Sequence, residues 1–112
     1  MKIAIPTVQG ALCLHFGHCE KFAMFTVDPE TKKITDSQML TPPPHEPGVL
    51  PRWLSGAGAN VIISGGMGMR AQQLFEAEGV EVVCGAPAED AQKVVLAYLS
   101  GSLTTGPNAC DH

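Results

Sequence analysis

Three short apolar runs constrain the fold more than any other feature of the sequence. They cover residues 2–7, 60–64 and 80–84, and each is rich in the β-branched residues typical of buried strands. A stretch with helical spacing, residues 69–78, separates the last two runs. Strands that alternate with helices form parallel sheets, because each helix carries the chain back across one face. The sequence therefore predicts an α/β fold.

An antiparallel hairpin is predicted between the first two apolar runs. Residues 22–27 and 34–40 have strand composition, and residues 28–33 carry the turn signal between them. Residues 41–47 are a stiff connector, because they contain prolines, which lack an N–H and have a fixed φ. The prediction is a mixed five-stranded sheet with strand order 3-2-1-4-5, in which strand 2 is antiparallel.

Two further helices complete the predicted elements. One lies within residues 48–58, where Trp53 is expected to anchor it in the core, and the other opens at residues 87–90 and ends at Gly101. Since aromatic residues are scarce, Met24 and Met39 are also expected to fill the core. The chain of 112 residues fits one domain over residues 1–101. Residues 102–112 are predicted to be a flexible polar tail.

Composition excludes several classes of protein. The formal charge is −4, and the seven Lys and Arg residues are scattered singly, which argues against nucleic-acid binding. No apolar run reaches the length of about 18 residues that a membrane helix needs, and the first residues lack the features of a signal peptide. A cytoplasmic location is therefore expected. Cysteines are normally reduced there, so the four cysteines favour metal or redox roles over disulfides.

The predicted strand order places two loops at one end of the sheet. Strands one and four are neighbours, and ligands of open α/β sheets collect where the chain leaves such a pair in different directions. The loops at this point are residues 7–20 and 65–69. They are also the two most chemically unusual loops of the sequence.

The first of these loops contains a cluster of soft and borderline metal ligands, namely Cys13, His15, His18 and Cys19. Thiolate and imidazole together suit zinc, copper or iron–sulfur centres. The spacing differs from that of a zinc finger and is too compact for all four side chains to hold one ion. Two or three of them are expected to ligate. The alternative is a structural loop, in which cysteine packs as a small apolar residue and histidine caps a backbone group.

The second loop is rich in glycine and leads into a helix; its candidate binding residues are Gly65, Gly66, Met67, Gly68 and Arg70. Glycine lets backbone N–H groups approach a ligand, and a helix start favours negative charge. Arg70 adds a positive donor, and Met67 and Met69 add soft side chains. The loop is neither a P-loop nor a dinucleotide fingerprint. The alternative is a strand-to-helix turn that only needs small residues.

Two more places carry thiols. The chain ends in Cys110-Asp111-His112, whose thiol and imidazole are candidate ligands if the tail folds over the site. Cys84 ends the fifth strand, where the expected role is that of a small buried apolar residue.

The sequence resembles a known family at two motifs. These are His15-Phe16-Gly17-His18-Cys19-Glu20-Lys21-Phe22 and Ile63-Ser64-Gly65-Gly66-Met67-Gly68-Met69-Arg70-Ala71, and they resemble the dinitrogenase iron–molybdenum cofactor biosynthesis family of NifX-, NifY- and NifB-like proteins. The resemblance covers residues 1–101. It implies a ribonuclease H-like three-layer α/β/α fold without nuclease activity.

The same resemblance implies a function. Family members bind, carry or store iron–sulfur precursors or molybdenum–sulfur clusters, with cofactor-assembly or acceptor proteins as partners. By this resemblance His15 is the motif histidine, and Gly65, Gly66, Gly68 and Arg70 form the opposite wall. The expectation is a cluster-carrying accessory protein and not an enzyme. The alternatives are a metal-free module that binds an anionic metabolite or a partner protein, and a thiol enzyme. A homodimer that shares a cluster between two such loops also remains open.

Overall fold

A mixed sheet forms the centre of the structure, a computed structural model that describes residues 1–13, 20–43 and 48–103. Within these residues the six strands are β1 (Lys2–Val8), β2 (Ala11–Leu12), β3 (Lys21–Asp28), β4 (Lys33–Leu40), β5 (Val61–Ile63) and β6 (Glu81–Val83). The helices are α1 (Val49–Gly56), α2 (Met69–Ala77) and α3 (Ala91–Ser100). No helix in the described part of the chain is long and apolar enough to cross a membrane.

The strands lie in the order β4-β3-β1-β5-β6, and β2 pairs with β1 outside this path. β1, β5 and β6 are mutually parallel, whereas β3 is antiparallel to both β1 and β4. The predicted mixed α/β class is confirmed. If β2 is left out, the five longer strands follow the predicted sequence of neighbours. The predicted number of five strands is wrong for the described residues, because β2 was not recognised in the loop after β1.

Helices cover both faces of the sheet, and each face has its own core. Ile3 and Ile5 of β1 lie on the side of α3, which we call the α3 face. Ala4 lies on the other side, where Leu54 of α1 and Phe75 of α2 are fully buried, and we call this the α1/α2 face. The alternation along β1 follows from the two-residue period of a strand.

The strand that the sequence analysis missed is held by a two-residue turn. Val8 pairs with Ala11, and the intervening Gln9 and Gly10 have φ values of 54° and 83°. Positive φ at both positions is the pattern of a type I′ hairpin turn, whose usual sequence signal is Asn-Gly. Because glutamine stands at the first position, this signal is weak in the sequence.

The short hairpin is also tied to the segment before α3. The Leu12 N–H donates to the Glu89 carbonyl at 2.8 Å, and the Ala91 N–H donates to the Gly10 carbonyl at 3.2 Å. The Leu12 side chain is buried in the core of the α3 face. These contacts fix the carboxyl end of β1 against the start of α3.

Of the two methionines that were predicted to fill the core, one is buried and the other is exposed. Met24 is buried, as expected, but Met39 is 55% exposed, so the prediction that it fills the core is wrong. Met39 lies on β4, an edge strand whose residues are mostly exposed. Trp53 packs edge to face on Phe22, with ring centroids 5.6 Å apart, and thereby anchors α1.

The turn generates a stability prediction. Gln9→Asn should raise the free energy of unfolding by up to about 1 kcal/mol, because asparagine tolerates the left-handed region better than glutamine. Gly10→Ala is the opposing variant and should lower the free energy of unfolding by about 1 kcal/mol or more, since its φ is +83°. Denaturant titration followed by circular dichroism measures both. A Gln9→Asn variant no more stable than the wild type would contradict the turn assignment.

One hydrogen bond joins α3 to the sheet edge at β6. The Tyr98 hydroxyl donates to Glu81 Oε2 at 2.8 Å. Burial raises the pKa of Tyr98 above 10.0, and the hydrogen bond and charge of Glu81 raise it further. Since the folded state holds this proton more tightly than the unfolded state, the contribution of Tyr98 to stability is complete below pH 10. It is lost as the pH rises through the folded pKa.

Tyr98 is the single tyrosine of the chain, so its titration can be read directly. The ultraviolet absorbance of tyrosinate should appear above pH 10.0 in the folded protein and near pH 10.0 in denaturant. Glu81→Gln should remove the part of the difference that the Glu81 charge causes and keep the part due to burial, which is the largest cause of the shift. Equal midpoints for the folded and denatured protein would contradict this prediction.

Candidate functional site

The carboxyl ends of β1, β5 and β6 meet at one end of the sheet. We call this end the carboxyl edge, and it consists of Cys13, residues 64–68 and residues 84–86. The loops after β5 and β6 are tied together there by backbone hydrogen bonds. The Ser64 N–H donates to Val83 O at 2.8 Å, and the Gly85 N–H donates to Gly65 O at 3.0 Å. The two loops therefore form one continuous wall.

Cys13 reaches this edge through the hairpin. Its N–H donates to Pro6 O at 2.8 Å, and the Glu20 N–H donates to Thr7 O at 2.9 Å. Carbonyls of successive strand residues point to opposite sides of the strand, and Glu20 directly precedes β3. Cys13 therefore lies on the β5 side of β1, next to the loop that follows β5. Its residue is only 8% exposed, so the thiol stands at the border of the core.

The glycine-rich loop after β5 is largely buried. Gly65 and Gly66 are buried, and Met67 is fully buried in the core of the α1/α2 face. The Met67 side chain thus serves the core, whereas Met69 is exposed. Two side chains occupy carbonyls of this loop: Ser64 Oγ donates to Gly66 O at 3.1 Å, and Gln72 Nε2 donates to Met67 O at 2.8 Å. These two carbonyl oxygens are already hydrogen-bonded within the protein. The backbone N–H groups of the loop are the groups suited to bind a ligand.

The loop leads directly into the amino terminus of α2. The residue before the helix is Gly68, with φ −64° and ψ 155°; no side chain caps the helix, and its first turn has no acidic residue. Arg70 is exposed in that first turn. A Cβ at Gly68 would meet nothing within 4 Å. Among the described residues, neither a side-chain cap nor an acidic first turn compensates the positive end of the α2 dipole at the carboxyl edge.

A second helix begins at the same edge on the same face. α1 starts after Gly48; its first turn has no acidic residue, and no side chain of the described residues caps it. Its other end lies at the opposite edge, because Asn60 accepts a hydrogen bond from the Lys2 N–H at the start of β1. Two helix amino termini of the α1/α2 face thus point toward the carboxyl edge, where they favour an anionic ligand.

Most of the predicted metal ligands cannot be placed. His15, His18, Cys19, Cys110 and His112 lie outside the described residues. Within the described residues, no group of three or more His, Cys, Asp or Glu side chains could hold a metal ion. Cys13 is the one predicted metal ligand that the structure places, and it lies beside the predicted glycine loop.

Cys84 is a residue at this edge that sequence reasoning assigned to the core alone. It follows β6 and is half-buried, in contact with the core of the α1/α2 face. A signal was present in the sequence, because the end of a strand parallel to β1 must lie at the same edge as the end of β1. The apolar run before Cys84 favoured the buried interpretation.

Solved structures with the same fold are known. The crystal structure of PH0822 is 26% identical and has a TM-score of 0.86, with 94% of each chain covered. The apo form of the orange protein from Desulfovibrio gigas is 22% identical, with a TM-score of 0.72, and the match covers 96% of this chain and 93% of that one. A Methanocaldococcus jannaschii protein provisionally called a dinitrogenase is 18% identical, with a TM-score of 0.74 and 96% of each chain covered. The last two similarities show the fold alone.

Sequence comparisons give the family. No curated protein sequence matches the chain significantly. The family of the dinitrogenase iron–molybdenum cofactor matches residues 1–101, which includes every described strand and helix. The chain therefore belongs to the dinitrogenase iron–molybdenum cofactor family.

Proposed function

We propose that this protein binds and carries an iron–sulfur or molybdenum/iron–sulfur cluster, or a precursor of one, at the carboxyl edge. The observation that supports the proposal is that Cys13 is bonded to the carboxyl end of β1, on the side of β5, the strand that leads into the glycine loop and α2. The proposed role is that of an accessory protein in metallocofactor assembly, with assembly or acceptor proteins as partners. The family to which the chain belongs supports this role.

The chemistry of the edge fits a sulfide-rich anion. A thiolate is a soft ligand for iron and other thiophilic metals. Backbone amides at the start of a helix stabilise negative charge, and the guanidinium of Arg70 adds a fixed positive charge nearby. Since the formal charge of the chain is −4, such local donors must provide the attraction for an anion.

The proposal is carriage and not catalysis. Catalysis requires an activated nucleophile or a tuned acid–base pair. The groups proposed to act at the carboxyl edge are hydrogen-bond donors and one soft thiolate ligand. Such groups hold a cluster without transforming it. The ribonuclease H-like fold is proposed with it, supported by α1 and α2 on one face of the sheet and α3 on the other.

The first test is reconstitution of the protein with iron and sulfide without oxygen. Wild-type protein should take up iron and acid-labile sulfide together and gain sulfide-to-iron charge-transfer absorption. Cys13→Ser should lower the affinity for the cluster by about 10-fold or more, because even the loss of a group that only supports a metal ligand costs about that much. Serine is close to cysteine in size, so the fold should persist. An unchanged circular dichroism spectrum would verify this.

Uptake can be followed in the same sample through Trp53, the one tryptophan of the chain. Its ring packs on Phe22, beside β1, and a bound cluster should quench its fluorescence. Wild-type protein that acquires neither iron nor sulfide would refute the proposal. Equal cluster content in the Cys13→Ser variant would remove Cys13 as a ligand.

A second candidate function is binding of a metal-free anionic metabolite. The glycine loop and the uncapped start of α2 favour it, because they bind anions without any thiol. In that case the protein should stay colourless after reconstitution. Its melting temperature should then rise with a small anion and not with iron and sulfide.

Gly68 offers a test of whether any ligand uses this loop. Gly68→Ala should change the free energy of unfolding by less than about 1 kcal/mol, because the gain from alanine at an ordinary backbone position with open space opposes its poorer fit to the N-cap position. The added methyl group should nevertheless weaken cluster binding where the ligand approaches the backbone. The iron content per chain and the melting temperature measure the two effects separately.

The matched control is Gly56→Ala. A Cβ at Gly56 also meets nothing within 4 Å, but this residue ends α1, away from the carboxyl edge. It should leave cluster content at the wild-type level. Equal cluster content in the Gly68→Ala and Gly56→Ala variants would show that the ligand does not contact the start of α2.

A further inference from the structure

We infer that the outer surface of α1 and α2, next to the carboxyl edge, docks an acidic face of a partner protein. The residues of this surface are Arg52, Met69 and Arg70, and we call it the arginine surface. That the partner delivers or receives the cluster rests on the proposed function. The docking of an acidic partner does not.

The two helices of this surface lie side by side and run in the same direction. Ser55 Oγ, near the end of α1, donates to the Glu78 carbonyl at the end of α2 at 3.2 Å. Both helices also pack on one core, with Leu54 and Phe75 fully buried. Because both helices begin at the carboxyl edge and their ends are joined, their first turns are neighbours as well.

Both arginines stand on the solvent side of the helices, where they are exposed. At 1.5 Å per residue, Arg52 is about 5 Å and Arg70 about 12 Å along its helix from the joined ends. Packed helices are about 8–10 Å apart, so the Cα atoms of the two arginines are within roughly 15 Å of each other. One partner surface can therefore contact both side chains.

Charge is separated along this layer of the fold. Residues 48–80 contain four charged side chains, namely Arg52, Arg70, Glu76 and Glu78. The arginines lie toward the starts of the helices, whereas the glutamates lie at the end of α2, at the opposite edge of the sheet. Glu46, which precedes α1, lies outside the described residues. The two arginines of a chain with a formal charge of −4 thus lie together on one surface.

The charges of α2 are arranged against the helix dipole. Acidic residues stabilise the start of a helix and basic residues its end. In α2, Arg70 is the second residue, the first turn has no acidic residue, and Glu76 lies in the last turn, which has no basic residue. Within residues 1–13, 20–43 and 48–103, neither arginine forms an ion pair that would offset this arrangement. Such departures from local stability concentrate at functional sites.

An exposed methionine points to a protein as the partner. Met69 is 59% exposed and directly precedes Arg70. Methionine and arginine are enriched in protein–protein interfaces, and the guanidinium fork matches the two oxygens of a carboxylate. An acidic protein face therefore fits this surface better than a free inorganic anion. Opposite charges also speed the encounter of two proteins.

An acidic peptide tests the surface on cluster-free wild-type protein. Acetyl-octaglutamate amide, titrated into the ¹⁵N-labelled protein at low salt, should shift the amide signals of residues 49–53 and 69–73. About 0.3 M sodium chloride should reverse the shifts, because exposed ion pairs are screened. Acetate at the same carboxylate concentration should cause no comparable shifts. Peptide-induced shifts confined to other parts of the chain would overturn the inference.

Arg52→Gln is the decisive variant, since Arg52 is not part of the proposed cluster site. It should weaken peptide binding by about two- to fivefold, the range expected for one exposed ion pair. Lys33→Gln is the matched control, because it removes the same charge from an exposed position at the opposite edge of the sheet. This control should bind the peptide as the wild type does. Equal affinities of the two variants would refute the arginine surface.

Arg70→Glu separates docking from a structural role. It should raise the melting temperature, because it replaces a cation at a helix start by an anion, while it weakens peptide binding by about fivefold or more. A lower melting temperature would show that Arg70 stabilises the fold, and the argument from the helix dipole would fail.

Two further measurements separate the remaining outcomes. Sedimentation velocity of the wild type should show no self-association. A dimer that Arg52→Gln dissociates would make a second copy the occupant and overturn the inference. Peptide binding without iron uptake would keep the docking surface and refute the cluster. Iron uptake without peptide binding would support the cluster and refute the docking surface.

Discussion

Pro6 decides how the chain is arranged at the carboxyl edge. The N–H and C=O of one strand residue point to the same side, and the Pro6 carbonyl points to the β5 side, where it accepts from Cys13. Proline has no N–H to offer there, so the parallel ladder between β1 and β5 cannot continue through it. The observed register between these strands ends at Ala4 and Ile62. β5 and β1 therefore separate, and the hairpin residue Cys13 takes the acceptor that β5 leaves.

The separation of β1 and β5 brings both candidate loops to the carboxyl edge. Cys13, before the first loop, is bonded to Pro6 on the β5 side of β1, and the glycine loop follows β5. The helices of the α1/α2 face begin at the same edge; both follow glycine, and no side chain in the described part of the chain caps them. Soft ligation and anion stabilisation thus meet because a parallel sheet brings strand ends and helix starts together.

The parts of the fold that the sequence predicted well were those with a strong local signal. The apolar runs that became β1, β5 and β6 were recognised from their period and their β-branched residues. The two-residue β2 was not, because two residues carry no period and the turn has glutamine where asparagine is usual. Met39 was misjudged for a related reason: composition does not show that β4 lies at the sheet edge.

The sequence by itself determined the α/β class and the family motifs, and it identified the Cys/His and glycine loops as the chemically distinctive segments. It did so because strand and helix periods and motif spacings are local properties. Only the tertiary structure decided that Cys13 is bonded to the carboxyl end of β1, that the Met67 side chain is core, and that Cys84 packs on the α1/α2 face. Those facts depend on strand register and on which carbonyl each amide finds, and these pairings join residues far apart in the chain.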